Sequence, residues 1–215
     1  TAGHRQHAMP DYALEAALGG MVCGIDEAGR GPWAGPVVAA ACVIDITQLP
    51  TFLRTSLDDS KKLSAKKREV IFAALEEEAG LGSLHFAAGE ASVEEIDTIN
   101  ILRATMAAMT RAVGGLSVRP DHALVDGTTL PDLPCPGQAV PKGDGLSLSI
   151  AAASIVAKVT RDRLMAALDK DYQGYGFAHN AGYGTAEHQA ALARLGVTPH
   201  HRKSFAPIHK ILCGS

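Results

Sequence analysis

The chain has 215 residues, 47% of them apolar, enough for one domain with a full core and at most a small appendage. A net charge of −3 does not advertise a nucleic-acid binder, and 5% aromatics leave few rings for stacking on bases. No apolar run approaches the ~18 residues of a membrane helix and no secretory signal pattern is visible, which argues against a membrane-spanning or exported class.

In chain order, residues 1–12 carry no hydrophobic pattern beyond a few residues and are expected to be a disordered leader or expression remnant, with Met9 a natural start. Residues 13–215 are expected to form a single catalytic domain, with an appended C-terminal extension at about 171–215. Residues 21–26 read as a buried strand and 36–46 as a second, close enough for an antiparallel pair. Ser64 caps a helix through about 78, stopped by Gly80 and Gly82, and 84–88 is a short strand. Ser92 and Glu95 have the spacing of a capping box, opening a helical pattern to about 113 with a break near 97–100. Strands follow at 122–125 and, weakly, at 139–140. A helix spans 150–168, a Gly/Tyr-rich loop 171–184, and Thr185 caps a last helix to Leu195. The order mixes hairpins with crossovers, so the sheet should be mixed.

The four cysteines, Cys23, Cys42, Cys135 and Cys213, form no C-x-x-C pair, and two lie in apolar runs, so they read as reduced thiols in a soluble, cytoplasmic protein. Charge is clustered locally at Lys61-Lys62, Lys66-Lys67-Arg68 and His200-His201-Arg202-Lys203. Each cluster is either a solvated face or an anion contact. The last is expected to face nucleic-acid backbone or solvent.

Three places set an acid at the end of an apolar run beside glycine: Asp26-Glu27, Asp126-Gly127 and Gly143-Asp144-Gly145. A lone Asp-Gly is usually a turn. Three acids converging on one sheet edge would instead suit hard divalent cations and phosphodiester chemistry. Successive strand residues point to opposite faces, so the backbone is expected to turn at Glu27 if both acids serve one site. The run Gly29-Arg30-Gly31-Pro32-Trp33-Ala34-Gly35 places its third glycine one position late for a dinucleotide fingerprint, and two acids precede it.

Six motifs then carry a resemblance to bacterial ribonuclease HII, the type 2 ribonuclease H family, over residues 20–207. They are Gly-Ile-Asp-Glu-Ala-Gly-Arg-Gly-Pro at 24–32, Asp-Asp-Ser-Lys-Lys-Leu-Ser at 58–64, Val-Asp-Gly at 125–127, Lys-Gly-Asp at 142–144, the alanine-rich run at 149–162, and Gly-Tyr-Gly-Thr-Ala-Glu-His at 182–188. The resemblance implies an α/β, ribonuclease H-like fold, with a mixed five-stranded sheet flanked by helices and a small helical C-terminal extension. It implies hydrolysis of RNA in RNA–DNA hybrids and nicking of duplex DNA 5′ to an embedded ribonucleotide, leaving 3′-hydroxyl and 5′-phosphate ends. By motif, the catalytic and metal-binding residues fall on Asp26, Glu27, Asp126 and Asp144. Two divalent ions per site are expected, Mg²⁺ or Mn²⁺. Asp26 would bridge them, Asp144 would serve the ion that activates water and Asp126 the ion at the leaving oxygen.

The family's backbone reader of the 2′-hydroxyl maps onto Gly29, Arg30 and Gly31, and the ring that packs on the next deoxyribose onto Tyr183. Lys61 and Lys62 are expected at phosphates, with Ser60 supporting their loop. Lys158 and Asp162 are four apart on the long helix, so an intrahelical pair is the simple reading. Ala181 and Thr128 depart from the usual pattern, which has Lys and Asn there. The substrates are hybrid and ribonucleotide-containing duplex DNA, a monomer is expected, and no protein partner is identifiable. A resolvase on the same fold, or a hybrid-binding module without catalysis, are the competing readings.

Overall fold

A computed structural model describes residues 9–214. Five strands, β1 (Val22–Ala28), β2 (Val37–Ile44), β3 (Leu84–Ala91), β4 (His122–Asp126) and β5 (Gly137–Val140), form one sheet in the order β3-β2-β1-β4-β5. The β1–β2 and β2–β3 pairs are antiparallel, whereas β1–β4 and β4–β5 are parallel, so the sheet is mixed as expected.

The helices are α1 (Ala13–Leu18), α2 (Thr51–Ser56), α3 (Ala65–Leu81), α4 (Val93–Gly114), α5 (Leu148–Asp171), α6 (Phe177–Asn180), α7 (Ala186–Leu195) and α8 (Ala206–Cys213), with 3-10 turns at Ser60–Lys62 and Gly143–Gly145.

Alternation along β2 divides the core. Ala40, Cys42 and Ile44 pack with α3 and α5, and Val37, Ala39, Ala41 and Val43 pack with α4 on the other face. Burial on both faces explains why β2 is an unbroken apolar run. The small residues Ala151, Ala152 and Ala153, all fully buried, let α5 lie close to β1. The approach is so close that a Cβ on Gly24 would stand 2.2 Å from the Ile150 nitrogen.

The helix starts follow their caps. Ser64 Oγ accepts from Lys67 N at 3.2 Å, and the Ser92–Glu95 capping box is complete. The break in α4 falls at Asn100, with φ 72°, whose Oδ1 accepts from Arg103 N and restarts the helix.

Two expectations change. The chain joins the fold before residue 13: Asp11 pairs through its backbone with Leu146 and Leu148, and the Tyr12 hydroxyl donates to the Ile44 carbonyl at 3.0 Å. Residues 1–8 of the expected leader lie outside the described residues. The stretch 171–184 is not all loop, because α6 occupies part of it. The short helices α1, α2 and α8 were not read from the sequence; six to eight residues hold too few turns to show a period.

Candidate active site

Asp26 lies two residues before the end of β1, and Asp126 ends its parallel neighbour β4. Ile25 is the register partner of Val125, so the two carboxylates stand side by side on one face. Asp126 Oδ1 accepts from Gly143 N at 2.7 Å, which locks the Gly143–Gly145 turn that carries Asp144. Asp144 thus reaches the site from a turn between β5 and α5 rather than from a strand end.

The backbone does not turn at Glu27. β1 continues to Ala28, with Glu27 paired to Ala39, and the bend comes at Gly29, φ +92°. Glu27 therefore leaves the opposite side of the strand from Asp26. It faces Arg30, Oε1 to Nη1 3.6 Å, and lines a pocket with Leu102 and Met106 of α4, while still bordering the main cleft.

Burial and the charge of neighbouring acids raise Asp26, Glu27 and Asp144 above the usual carboxylate range. Burial, then the charges of Glu27 and Asp126, raise Asp26 well above the usual range. Burial, then Asp59 and Asp126, push Asp144 up to about 6. Burial also raises Glu27, with Arg30 and Lys61 opposing. Lys61 is the central countercharge: burial lowers its pKa, but Asp26, Asp59, Asp144 and Asp126 together reverse that and leave it raised. The donors are all hard carboxylate oxygens gathered with too little positive charge, a set that fits a hard divalent cation. Among the described residues no three acidic, His or Cys side chains close into a ready-made cage.

Asp59, not singled out from the sequence, is a fifth acid at this edge. It caps the Ser60–Lys62 turn by accepting from Lys61 N at 2.9 Å and lines a cleft with Asp126 and Asp144. Ser60 is buried and accepts from the Ser154 hydroxyl of α5 at 2.8 Å, which anchors the lysine turn. Lys62 pairs with Asp58 at 3.2 Å. Asp162 is apart from the cluster, held by Lys158 at 2.5 Å and Arg68 at 3.6 Å, in line with the intrahelical reading.

Gly29, Arg30, Gly31, Lys61 and Tyr183 line a cleft of about 460 Å³. Tyr183 is 48% exposed, and its ring edge lies 3.4 Å from where a Gly31 Cβ would be. Gly29 has a different reason to be glycine: a Cβ there would sit 1.9 Å from Arg161 Nε. The room goes to the protein's own guanidinium rather than to a ligand.

Two arginines hold this loop from beneath. Arg161 donates to the carbonyls of Pro36, Ala181 and Ala34 at 2.9–3.0 Å. Arg202 donates to Gly35 and Arg30 carbonyls at 3.0 and 2.9 Å, and to Gly29 and Pro36 at 2.6 and 3.2 Å. Burial lowers Arg161 to about 10 and Arg202 to about 9, so both stay charged at neutral pH.

This corrects the expectation for 200–203: His201 and Arg202 are wholly buried, and Lys203 alone of the four is exposed. The roles of Arg161 and Arg202 were missed. For Arg161 a signal existed, because it stands on the buried stripe Ala157–Arg161–Met165 at four-residue spacing. Ala181 adopts φ 50° at the end of α6 and offers its carbonyl to Arg161, so it has a structural task in place of a side-chain contact.

A family model described as Ribonuclease HII matches residues 23–208. A protein named Ribonuclease HII from Rhodospirillum rubrum is 61% identical over 207 residues, covering 96% of this chain and 94% of its own. One from Paramagnetospirillum magneticum is 60% identical, covering 93% and 97%. Among solved structures, the ribonuclease H2 from Pyrococcus horikoshii OT3 superposes with a TM-score of 0.72 at 28% identity, over 89% of this chain and 97% of that one.

Proposed function

The chain belongs to the ribonuclease HII family and is a type 2 ribonuclease H with a ribonuclease H-like fold, and from that premise we propose that it nicks duplex DNA 5′ to an embedded ribonucleotide as well as hydrolysing the RNA strand of hybrids. The products carry a 3′-hydroxyl and a 5′-phosphate. The observation that carries the reading is the side-by-side placement of Asp26 and Asp126, with Asp144 tied to them through the Gly143–Asp126 bond, and with Lys61 lining both the cleft of Asp126 and Asp144 and the cleft of Gly29 to Gly31 and Tyr183.

Asp26, Glu27, Asp126 and Asp144 would hold the divalent cations, Mg²⁺ or Mn²⁺. Two such ions supply an activated water and stabilise the leaving 3′ oxygen. The remaining work falls to the chain. Lys61 and Lys62 meet the anionic backbone, and Ser60 keeps their turn in place. The backbone of Gly29, Arg30 and Gly31 reads the 2′-hydroxyl, the group that separates RNA from DNA locally. The Tyr183 ring packs on the following sugar, where a second 2′-hydroxyl would intrude, which favours an RNA-to-DNA junction.

The test is cleavage of a DNA duplex holding one ribonucleotide, in Mg²⁺ and then Mn²⁺, with the cut mapped. A nick 5′ to the ribonucleotide supports the full reading. Activity confined to uniform hybrids keeps the carboxylate assignment and discards the roles of Gly29 to Gly31 and Tyr183.

A further inference from the structure

We infer that Arg202 is the positioning residue of ribose recognition: it turns the Gly29 and Arg30 carbonyls inward and thereby aims the Arg30 and Gly31 N–H groups, as a paired donor, at the 2′ oxygen of the ribonucleotide being read. The inference rests on the proposed reading of this loop as the 2′-hydroxyl reader.

The argument is one of peptide planarity. In a trans peptide the C=O of one residue and the N–H of the next point in opposite directions, and the described residues contain no cis bond. Arg202 Nη2 takes the Gly29 carbonyl at 2.6 Å and Nη1 the Arg30 carbonyl at 2.9 Å. The N–H groups of Arg30 and Gly31 must therefore point away from Arg202. Both residues line the open cleft, and neither N–H has an acceptor among the described backbone and side-chain bonds outside helices and strands.

Arg202 is suited to this and to little else. It is fully buried, makes no salt bridge among the described residues, and lies with its guanidinium over the Phe205 ring at 5.1 Å. Every acceptor it has is a carbonyl of residues 29–36. A planar fork can set two adjacent peptide planes at once, whereas a lysine offers a point charge that cannot. Two aligned donors suit an oxygen that accepts, and the ribose hydroxyl also keeps a proton to donate.

The test measures binding in Ca²⁺, by fluorescence anisotropy, of two duplexes that differ by one 2′-hydroxyl, with a gel to show that they stay intact. Wild type is expected to favour the ribonucleotide duplex by about tenfold, the scale of one or two hydrogen bonds. Arg202→Ala and Arg202→Lys are expected to bring the ratio near one while affinity for the all-DNA duplex holds within about twofold. Added guanidinium should restore part of the ratio in Arg202→Ala. If that variant does not fold by circular dichroism, Arg202→Lys decides. A ratio that survives both substitutions overturns the inference alone. Equal loss on both duplexes also overturns it, since the paired donor would then serve a phosphate oxygen or the fold. A wild type with no preference overturns the reading of the loop and the inference with it.

Discussion

His188 and His201 meet Nε2 to Nε2 at 2.9 Å in the interior of the C-terminal extension, so one of these nitrogens carries a hydrogen and the other is bare. The Thr198 N–H donates to His201 Nδ1 at 2.9 Å, which places the His201 proton on Nε2. His188 then accepts at Nε2 and donates from Nδ1 to the Tyr183 carbonyl at 2.9 Å. The arrangement closes only when both rings are neutral.

Acid should therefore loosen the extension. Burial, then His188, pushes His201 down to about 4, and burial lowers His188 as well. A depressed folded value means the unfolded chain takes the proton first as pH falls. Stability is full above about 6.5 and is lost between there and about 4, at up to ~1.4 kcal/mol per unit of depression. Thermal midpoints of wild type and His201→Gln, followed from pH 7.5 to 5, check this. The variant should start lower and fall less steeply, and parallel curves would refute the assignment.

Asp126→Asn should reduce cleavage by ~10³-fold or more, the scale on which a mutually dependent set fails, while hybrid binding persists. Single-turnover cleavage and anisotropy on the same preparation separate the two. Retained cleavage would sink the site assignment.

Divalent cations should raise the thermal midpoint in a concentration-dependent way, because an ion that binds only the folded state stabilises it by mass action. Asp26→Asn should blunt that rise for both Mg²⁺ and Mn²⁺. An identical rise in the variant would place the ions elsewhere.

The two glycines of the proposed reading loop should answer differently to alanine. Gly29→Ala meets both a positive φ and the Arg161 guanidinium and should destabilise by ~2 kcal/mol or more. Gly31→Ala meets only ordinary contact with the Tyr183 ring and should shift stability by less than ~1 kcal/mol. Chemical denaturation of the pair is sufficient, and equal losses would contradict the geometry.

Lys61→Ala should weaken hybrid binding and lower the slope of log affinity against log salt by about one, the signature of a single lost phosphate contact. An unchanged slope would take Lys61 off the backbone track and leave it as a countercharge to the carboxylates.

Much of this was legible because it is local. β1 and β2 announce themselves as apolar runs, and the cap pairs Ser92–Glu95 and Ser64–Lys67 lie within one turn. The motifs bring Asp26, Asp126 and Asp144 to one sheet edge, although the bend expected at Glu27 occurs at Gly29, since the β1–β2 pairing extends to Ala28 and Val38. Arg202 was illegible for the opposite reason. A run of two histidines, an arginine and a lysine looks solvated, and only the carbonyls of a loop far away in sequence reveal that the arginine is inside.

That distance has a consequence for synthesis. The Gly29 carbonyl and the guanidinium that holds it are 173 positions apart. β1 and β2 can pair early on the ribosome, but the loop between them lacks its clamp until residue 202 has left the exit tunnel. The proposed reading loop is therefore among the first parts of the chain to be made and among the last to take its final form.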